Sequence, residues 1–277
     1  MNNKVLIVAG MHRSGTSLVT QWLYRCGLHV GEQLLGKGIG NDDGHYEDME
    51  FYQFHLSLLK SKNLHDSGFV EEPVTGMTEN DKENALRLIN KKNSTHTEWG
   101  WKDPRTCLFL KDYEKLIPYA QYLVVFRSFG STVSSVITRA QKVLHSGDKN
   151  VERKGLFADF FKKRALKKEI ETLSREQAGP SLKIWMLYNR EILKFLDTID
   201  SEKYIVLNYD SLLKNDSAIF EKLRNGWQYT LNYIRFADVY KPSLISKDLD
   251  IRKFVDKKLY EEACDLEEML KSRLFIK

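Results

Sequence analysis

Cysteine is scarce in this chain of 277 residues, and its placement excludes two kinds of protein. The three cysteines, Cys26, Cys107 and Cys264, lie far apart and form no C-x-x-C pair. Because three thiols cannot all pair within one chain, we expect reduced cysteines and neither a disulfide framework nor a thiolate metal site. The sequence predicts no metal site of any other kind.

Long apolar runs are also missing. The longest run near the start, residues 5–9, is far shorter than the roughly 18 to 20 apolar residues of a membrane span. It is also too short for the apolar region of a signal peptide. We therefore expect a soluble, cytoplasmic protein with no integral membrane segment.

Charge of neither sign is in large excess. The 43 basic residues are interleaved with 38 acidic ones, which leaves a formal net charge of +5. This balance favours anionic ligands and predicts no nucleic acid partner.

Short apolar segments alternate with amphipathic ones along most of the chain. The predicted strands are residues 4–9, 122–126 and 204–207, and the predicted helices are 16–25, 47–60, 79–93 (with Thr78 as N-cap), 131–142 and 181–196. Strands that alternate with helices predict an α/β fold with a central parallel sheet flanked by helices. No linker is visible, so we expect a single domain over residues 1–277.

Other parts of the chain are less regular. Residues 27–45 hold six of the sixteen glycines and are predicted to form an ordered loop or lid, and residues 145–155 are polar and turn-rich. From about residue 217 the pattern is mostly helical, over 218–233 and 256–270, with 236–252 left unassigned.

The stretch VAGMHRSGTSL, residues 8–18, joins the first strand to the first helix. Gly10 and Gly15 have the spacing of the P-loop G-x-x-x-x-G-K-[ST], but Thr16 stands where the lysine should be. The N-terminus of a helix favours anions. The loop adds a guanidinium and three hydroxyl groups: Arg13, Ser14, Thr16 and Ser17. Since a triphosphate with Mg²⁺ normally needs the lysine, this P-loop-like segment predicts a ligand with one 5′-phosphate group and no required metal.

A second anion site is predicted further along the chain. In VVFRSFGSTVSS, residues 124–135, a buried strand ends at Arg127 and a helix carries Ser135 eight residues later. Ligands of α/β folds bind at the carboxyl ends of the strands, and a guanidinium together with a hydroxyl suits a phosphate group.

Together the two motifs resemble the donor site of sulfotransferases that use 3′-phosphoadenosine 5′-phosphosulfate (PAPS), and the chain is similar to the bacterial carbohydrate-type members. The resemblance implies that residues 13–17, including Gly15, bind the 5′-phosphosulfate and that Arg127 and Ser135 bind the 3′-phosphate. It also implies that PAPS is the co-substrate and that no metal is required. It covers most of residues 4–215; the C-terminal G-x-x-G-x-W-K segment of cytosolic members is absent, so some contacts to the nucleotide must differ.

Lys102, in WGWKDPR, corresponds to a lysine that this family often has near the transferring sulfuryl group. The resemblance implies that Arg13 and Lys102 stabilise charge on the sulfuryl and bridging oxygens. Cytosolic members have a histidine base two residues after this lysine, where the present chain has Pro104. Asp103, Pro104 and Arg105 instead resemble a motif of the bacterial carbohydrate-type enzymes.

The group that accepts the proton is predicted to lie in NDDGHYEDMEF, residues 41–51. In sulfotransferases of glycans and of protein tyrosine, a glutamate soon after the loop helix is the usual base, and Glu47 resembles it. Glu32 and His45 remain alternatives. The implied acceptor is a hydroxyl group of a glycan or glycoconjugate, and we expect the part of the chain from about residue 217 to lie on the acceptor side.

Two other functions stay open. A P-loop small-molecule kinase would need a lysine at position 16 and a downstream aspartate for Mg²⁺. A non-catalytic nucleotide- or polyanion-binding module would keep Arg13 and Arg127 but would need no base.

Overall fold

A four-stranded parallel sheet organises the computed structural model, which describes residues 3–38, 44–145, 156–241 and 249–276. The strands are β1 (Lys4–Ala9), β2 (Glu98–Lys102), β3 (Gln121–Phe126) and β4 (Tyr204–Asn208). Their order is β2-β1-β3-β4, and each pairing is parallel. The structure therefore confirms the predicted fold class, an α/β fold with a central parallel sheet flanked by helices.

Helices cover both faces of this sheet. They are α1 (Thr16–Arg25), α2 (Met49–Ser61), α3 (Glu79–Thr95), α4 (Leu110–Leu116), α5 (Phe129–His145), α6 (Leu156–Leu196), α7 (Tyr209–Glu221) and α8 (Lys257–Ser272). None of the described helices combines the length and the apolarity needed to cross a membrane.

Strand β1 lies between two hydrophobic cores. Val5, Ile7 and Ala9 enter the core that contains α5, α6 and α8, whereas Leu6 and Val8 enter the core that contains α1. Burial on both faces is what the continuous apolar run of a parallel strand predicts. At about 1.5–3 kcal/mol for each large aliphatic side chain, these contacts fix β1 and therefore the loop that follows it.

The predicted ends of several elements are correct. Strand β1 and helix α1 have the predicted bounds, and α3 begins after the predicted N-cap Thr78. The Thr78 hydroxyl accepts a hydrogen bond from the Asp81 backbone, and the Asp81 carboxylate accepts one from the Thr78 backbone. This reciprocal capping box satisfies two donors that the first turn would leave unpaired.

Other predictions of local structure are wrong. Strand β2 was not predicted at all, and α2 begins at Met49 rather than at residue 47, because Asp48 acts as its N-cap. Helix α6 extends 25 residues further toward the N-terminus than predicted and runs through Pro180. Leu173 and Ala178 lie before that proline in the same core as residues that follow it, so tertiary packing holds the helix on both sides.

The predicted helix over residues 218–233 is wrong beyond residue 226. Gln228 has a positive φ of 60°, and Tyr229 and Leu231 pack into the core around α1 from an irregular segment. The backbone N–H of Thr230 donates to the Glu98 carboxylate at the start of β2, which replaces the helical hydrogen bond. Of the predicted loops, residues 39–43 and 146–155 lie outside the described residues.

Candidate active site

Three neighbouring strands end at the same edge of the sheet. β2, β1 and β3 are adjacent and parallel, so the segments after Lys102, Ala9 and Phe126 begin side by side. This is the edge at which α/β folds bind ligands. The predicted donor site and the predicted catalytic lysine therefore lie on adjacent connections.

The loop between β1 and α1 has the backbone of a tight anion-binding turn. A Cβ at Gly10 would lie 2.3 Å from the carbonyl oxygen of Val125, so only glycine fits against β3. Gly15 is the N-cap of α1 with φ 96°, and no side chain caps the helix. Arg13 also has a positive φ, 68°, which is uncommon for a residue with a side chain and is typical of functional loops.

The two predicted anion motifs are in direct contact. Arg13 donates a hydrogen bond from Nε to the Ser135 hydroxyl at 3.0 Å, although the residues are 122 positions apart. Ser135 is buried on α5, whose preceding strand β3 pairs with β1. The loop after β1 and the helix after β3 therefore bound one common site.

Arg127 lies at the same carboxyl edge of the sheet. It follows β3 directly and is half-buried, and its carbonyl oxygen accepts a hydrogen bond from Trp185 Nε1 of α6 at 3.2 Å. Of the other predicted loop residues, Ser14 and Thr16 are buried while Gly15 and Ser17 are half-buried. The Ser14 hydroxyl donates to the Met11 carbonyl oxygen at 2.7 Å, which holds the turn closed.

A buried ion pair lies next to the loop. Lys102, at the end of β2, donates from Nζ to Glu47 Oε1 at 2.6 Å and to the Ser17 hydroxyl at 3.1 Å. Glu47 Oε2 is buried and has no hydrogen-bond partner within the described part of the chain. Burial raises the pKa of Glu47 even though the charge of Lys102 opposes the rise. A buried carboxylate with one unsatisfied oxygen and a raised pKa is suited to accept a proton.

His45 lies beside this pair. Its Nδ1 is 3.6 Å from Glu47 Oε2. Burial, followed by the charges of Lys102, Arg139 and Arg13, lowers the pKa of His45 to about 4. The imidazole is therefore neutral near pH 7 and is a weaker base than Glu47.

Glu32, the third candidate base, belongs to a different cluster. Its carboxylate is about half exposed and contacts Lys92 and His96. Hydrogen bonds from these two residues outweigh partial desolvation and lower the pKa of Glu32 to about 2. Glu47 therefore contacts Lys102 in this structure, whereas Glu32 contacts Lys92 and His96 instead.

The Asp103-Pro104-Arg105 turn, which directly follows Lys102, is held in place by buried polar contacts. The Asp103 carboxylate lies 3.1 Å from His55 Nδ1 and accepts two hydrogen bonds from Arg105 Nη1. Burial opposes ionisation of Asp103, but the charges and hydrogen bonds of His55 and Arg105 outweigh it and keep the pKa of this carboxyl low. Tyr113 contacts the other nitrogen of His55 at 2.8 Å. These contacts fix the end of β2 and therefore Lys102.

Two residues near the site were missed by the sequence analysis. Burial and then the charge of Arg105 lower the pKa of His12, in the loop after β1, to about 3. The charge of Arg139 acts on both His12 and His45. Arg139 is four residues after Ser135 and so lies on the same face of α5; this spacing is the signal that could have identified it.

Sequence comparisons return nothing for this chain. No protein-family model matches it, and a search of curated proteins gives no match.

Solved structures, by contrast, include similar folds. The crystal structure of sulfotransferase STF9 from Mycobacterium avium aligns with a TM-score of 0.55 and 13% identity over 96% of this chain and 77% of that one. The sulfotransferase domain from the curacin biosynthetic pathway aligns with a TM-score of 0.48 and 13% identity over 99% of both chains. A sulfotransferase from Alicyclobacillus acidocaldarius aligns with a TM-score of 0.43 and 13% identity over 99% of this chain and 94% of that one.

The likeness to the Mycobacterium avium enzyme identifies the architecture. The chain has the α/β fold of that sulfotransferase. At 13% identity the comparison extends to the fold, and the activity has to be argued from the residues at the carboxyl edge of the sheet.

Proposed function

We propose that this protein is a sulfotransferase that moves the sulfuryl group of PAPS to an acceptor hydroxyl on a carbohydrate. The observation that carries the proposal is the hydrogen bond between Arg13 and Ser135. It brings the predicted 5′-phosphosulfate loop and the predicted 3′-phosphate motif to one site, which a ligand with phosphate groups at both positions requires.

The donor is held by charge and by backbone geometry. Residues 13–17 receive the 5′-phosphosulfate at the N-terminus of α1, where the helix dipole and the hydroxyl groups favour negative charge. Arg127 and Ser135 receive the 3′-phosphate at the end of β3. No metal is required in this scheme, because fixed positive side chains take the role that Mg²⁺ has in triphosphate sites.

Transfer itself uses the buried ion pair. The acceptor oxygen forms a bond to sulfur while the bond between sulfur and the 5′-phosphate oxygen breaks, and 3′,5′-adenosine bisphosphate leaves. The hydroxyl proton passes to Glu47. Lys102, whose Nζ contacts Ser17 of the loop, stabilises the charge that develops on the bridging oxygen together with Arg13.

The acceptor side is proposed to include the C-terminal part of the chain. Glu267 of α8 accepts a hydrogen bond from the backbone N–H of Phe129 at 3.0 Å, and the Leu249 N–H donates to the Ser134 hydroxyl at 2.8 Å. The first contact reaches the first residue of α5, and the second reaches the residue before Ser135. Residues after about 217 are therefore positioned to shape the approach to the site.

Ligand-dependent thermal shift tests the donor class. The full-length protein is heated with 3′,5′-adenosine bisphosphate or with ATP and Mg²⁺. We expect stabilisation by the bisphosphate in the wild type and in Arg25→Met, a control at the exposed C-terminal end of α1, and its loss in Arg13→Met. Stabilisation by ATP with Mg²⁺ alone would favour the kinase function instead.

A transfer assay tests the acceptor class. Radiolabelled PAPS is incubated with the protein and a panel of glycans, lipids, phenols and peptides. We expect label on the glycans. Label confined to another class would refute the carbohydrate acceptor and keep the sulfotransferase activity, whereas bisphosphate binding with no transfer to any class would favour a non-catalytic nucleotide-binding module.

A further inference from the structure

Two histidines and a glutamate come together at the opposite end of β2 from Lys102. His29 forms an isolated bridge with Trp99, near the start of β2, and its carbonyl oxygen accepts a hydrogen bond from Gly100 at 2.9 Å. His96 is the C-cap of α3, two residues before β2 begins. Glu32 lies on the segment that follows His29. The cluster is therefore held by backbone contacts and is separate from the proposed active site.

The separations between the candidate ligand atoms of this cluster, but not the orientation of its two rings, are those of metal ligands. Glu32 Oε1 lies 3.1 Å from His96 Nε2 and 3.6 Å from His29 Nε2. The three atoms all lie within 4.8 Å of one another. A tetrahedral zinc ion with bonds of about 2.0–2.1 Å places neighbouring ligand atoms roughly 3.3 Å apart. Two imidazoles and one carboxylate are also a ligand set that zinc prefers.

A buried polar atom in the cluster is left unsatisfied. His29 Nε2 is buried and has no hydrogen-bond partner among the described residues. Leaving such an atom unpaired is unfavourable, and a metal ion would supply the missing partner. This observation is independent of the distances.

The local charge favours a cation. Glu32, Asp48 and Glu50 all contact Lys92, and Glu50 also contacts Lys91. Three carboxylates thus face two ammonium groups, so these groups carry a net charge of −1, which attracts a cation.

The histidine rings must rearrange for both to bind one ion. Their centroids are 3.5 Å apart, and the rings are 17° from parallel. A metal lies close to the plane of each imidazole that binds it, which two stacked rings do not allow. Rotation of one ring about its Cβ–Cγ bond is therefore part of binding.

We propose that His29, Glu32 and His96 bind one divalent transition-metal ion of the zinc type, with a fourth position for water. The ion would fix a segment that holds the proposed base. Next to Glu32, the Gln33 carbonyl oxygen accepts a hydrogen bond from the Met49 N–H, and the Leu35 N–H donates to the Glu47 carbonyl oxygen. The site braces the backbone around Glu47 and takes no part in sulfuryl transfer. Sequence patterns do not reveal it, because His29 and His96 are 67 positions apart.

Metal binding by the full-length, tag-free protein tests the site. The protein is stripped with a chelator, freed of the chelator and titrated calorimetrically with ZnCl₂. His96→Phe keeps an aromatic ring in the stack but removes the nitrogen ligand. His65→Phe is the matched control, since His65 is exposed and lies 3.1 Å from the Asp66 carboxylate. We expect one zinc per chain in the wild type and in His65→Phe, with affinity at least about 100-fold weaker in His96→Phe.

A second variant and a second metal remove the dependence on one substitution. Glu32→Gln removes the carboxylate ligand from a half-exposed position and is expected to weaken zinc binding as well. Co²⁺ should give the visible absorption of a tetrahedral site in the wild type and lose it in both variants. The proposal is overturned if the wild type binds no stoichiometric zinc, or if His96→Phe and Glu32→Gln bind it as tightly as the wild type. None of these measurements depends on the transfer reaction.

Discussion

Lys92 and Lys102 are equally buried, each about 1% exposed, but their surroundings differ. Lys92 contacts three carboxylates, with Nζ 2.7 Å from Asp48 and 2.9 Å from Glu50 in addition to Glu32. Lys102 contacts one carboxylate in the described residues, that of Glu47. The first lysine is over-neutralised, whereas the charge of the second is balanced by a single carboxylate.

Two adjacent residues create this difference. Glu47 turns toward Lys102 and the carboxyl edge of the sheet, whereas Asp48 turns toward Lys92 and α3. Asp48 has extended backbone angles, φ −62° and ψ 125°, and neighbouring side chains of an extended segment point to opposite sides. A buried lysine alone therefore does not mark a candidate active site; its carboxylate partners distinguish Lys102 from Lys92.

The largest expected effect is on sulfuryl transfer, through the loss of the proposed base Glu47 beside Lys102. Glu47→Gln keeps the shape of the side chain but cannot take the proton, so we expect transfer to fall by about 10²- to 10⁴-fold. The thermal shift with 3′,5′-adenosine bisphosphate should be unchanged, because the donor contacts remain. The labelled-PAPS assay measures the rate.

Glu32→Gln is the competing variant in the same assay. Because Glu32 contacts Lys92 rather than Lys102, its replacement should leave the chemical step close to the wild-type rate. Loss of transfer in Glu32→Gln together with full activity in Glu47→Gln would exchange the roles of the two residues.

The next largest effect is on stability at Lys92. Lys92→Met leaves Asp48 buried without its cation and brings three carboxylates together. We expect the free energy of unfolding to fall by about 3–5 kcal/mol. Denaturant unfolding of the full chain measures it. Lys91→Met, an exposed neighbour that contacts Glu50, is the control and should cost less than about 1 kcal/mol; equal losses in both variants would show that Lys92 is not the centre of the cluster.

The elements that the sequence predicts well are those with uniform patterns. β1, β3 and β4 are continuous apolar runs, and their order with helices predicts a parallel sheet. Strand β2 was not predicted because its sequence, EWGWK, has charged ends and a glycine at its centre. That glycine is needed, since a Cβ at Gly100 would lie 2.1 Å from the Leu6 carbonyl oxygen. The alternation of Trp99 and Trp101 is the signal that was available; both rings lie on the face that packs against Phe51.

The site divides in the same way. The motifs around Arg13 and Arg127 are local, so the sequence shows them, and the order of strands predicts that they share an edge. The partners of Glu47 depend on contacts over 55 residues, and those of Lys92 on contacts over 44 and 60 residues. Such pairings follow from tertiary packing, and for this reason the sequence could not choose between Glu47 and Glu32.

A third effect is a difference in pH dependence between the ion pair of Glu47 with Lys102 and the cluster around Lys92. The pKa of Glu47 is raised, so acidification protonates it, and transfer should fall about tenfold per pH unit below that pKa. The pKa of Glu32 is lowered from 4.5 to about 2, so the stability that it contributes is present above pH 4.5 and is lost as the pH falls toward 2. Activity should therefore decline at a higher pH than the stability of the Lys92 cluster. A pH–rate profile and unfolding curves at matched pH measure the two; a common midpoint would contradict the assignment.

The smallest effect tests whether Lys92 is over-neutralised. Glu50 is one of its three carboxylates, is partly exposed and also contacts Lys91. Because Asp48 and Glu32 remain in Glu50→Gln, we expect the free energy of unfolding to fall by only about 0.2–1 kcal/mol, with no change in transfer. Glu79→Gln, which removes an exposed ion pair with Lys82 at the start of α3, sets the scale for a surface contact. If Glu50→Gln instead cost as much as Lys92→Met, the three carboxylates would act as one cooperative network. Lys92 would then not be over-neutralised.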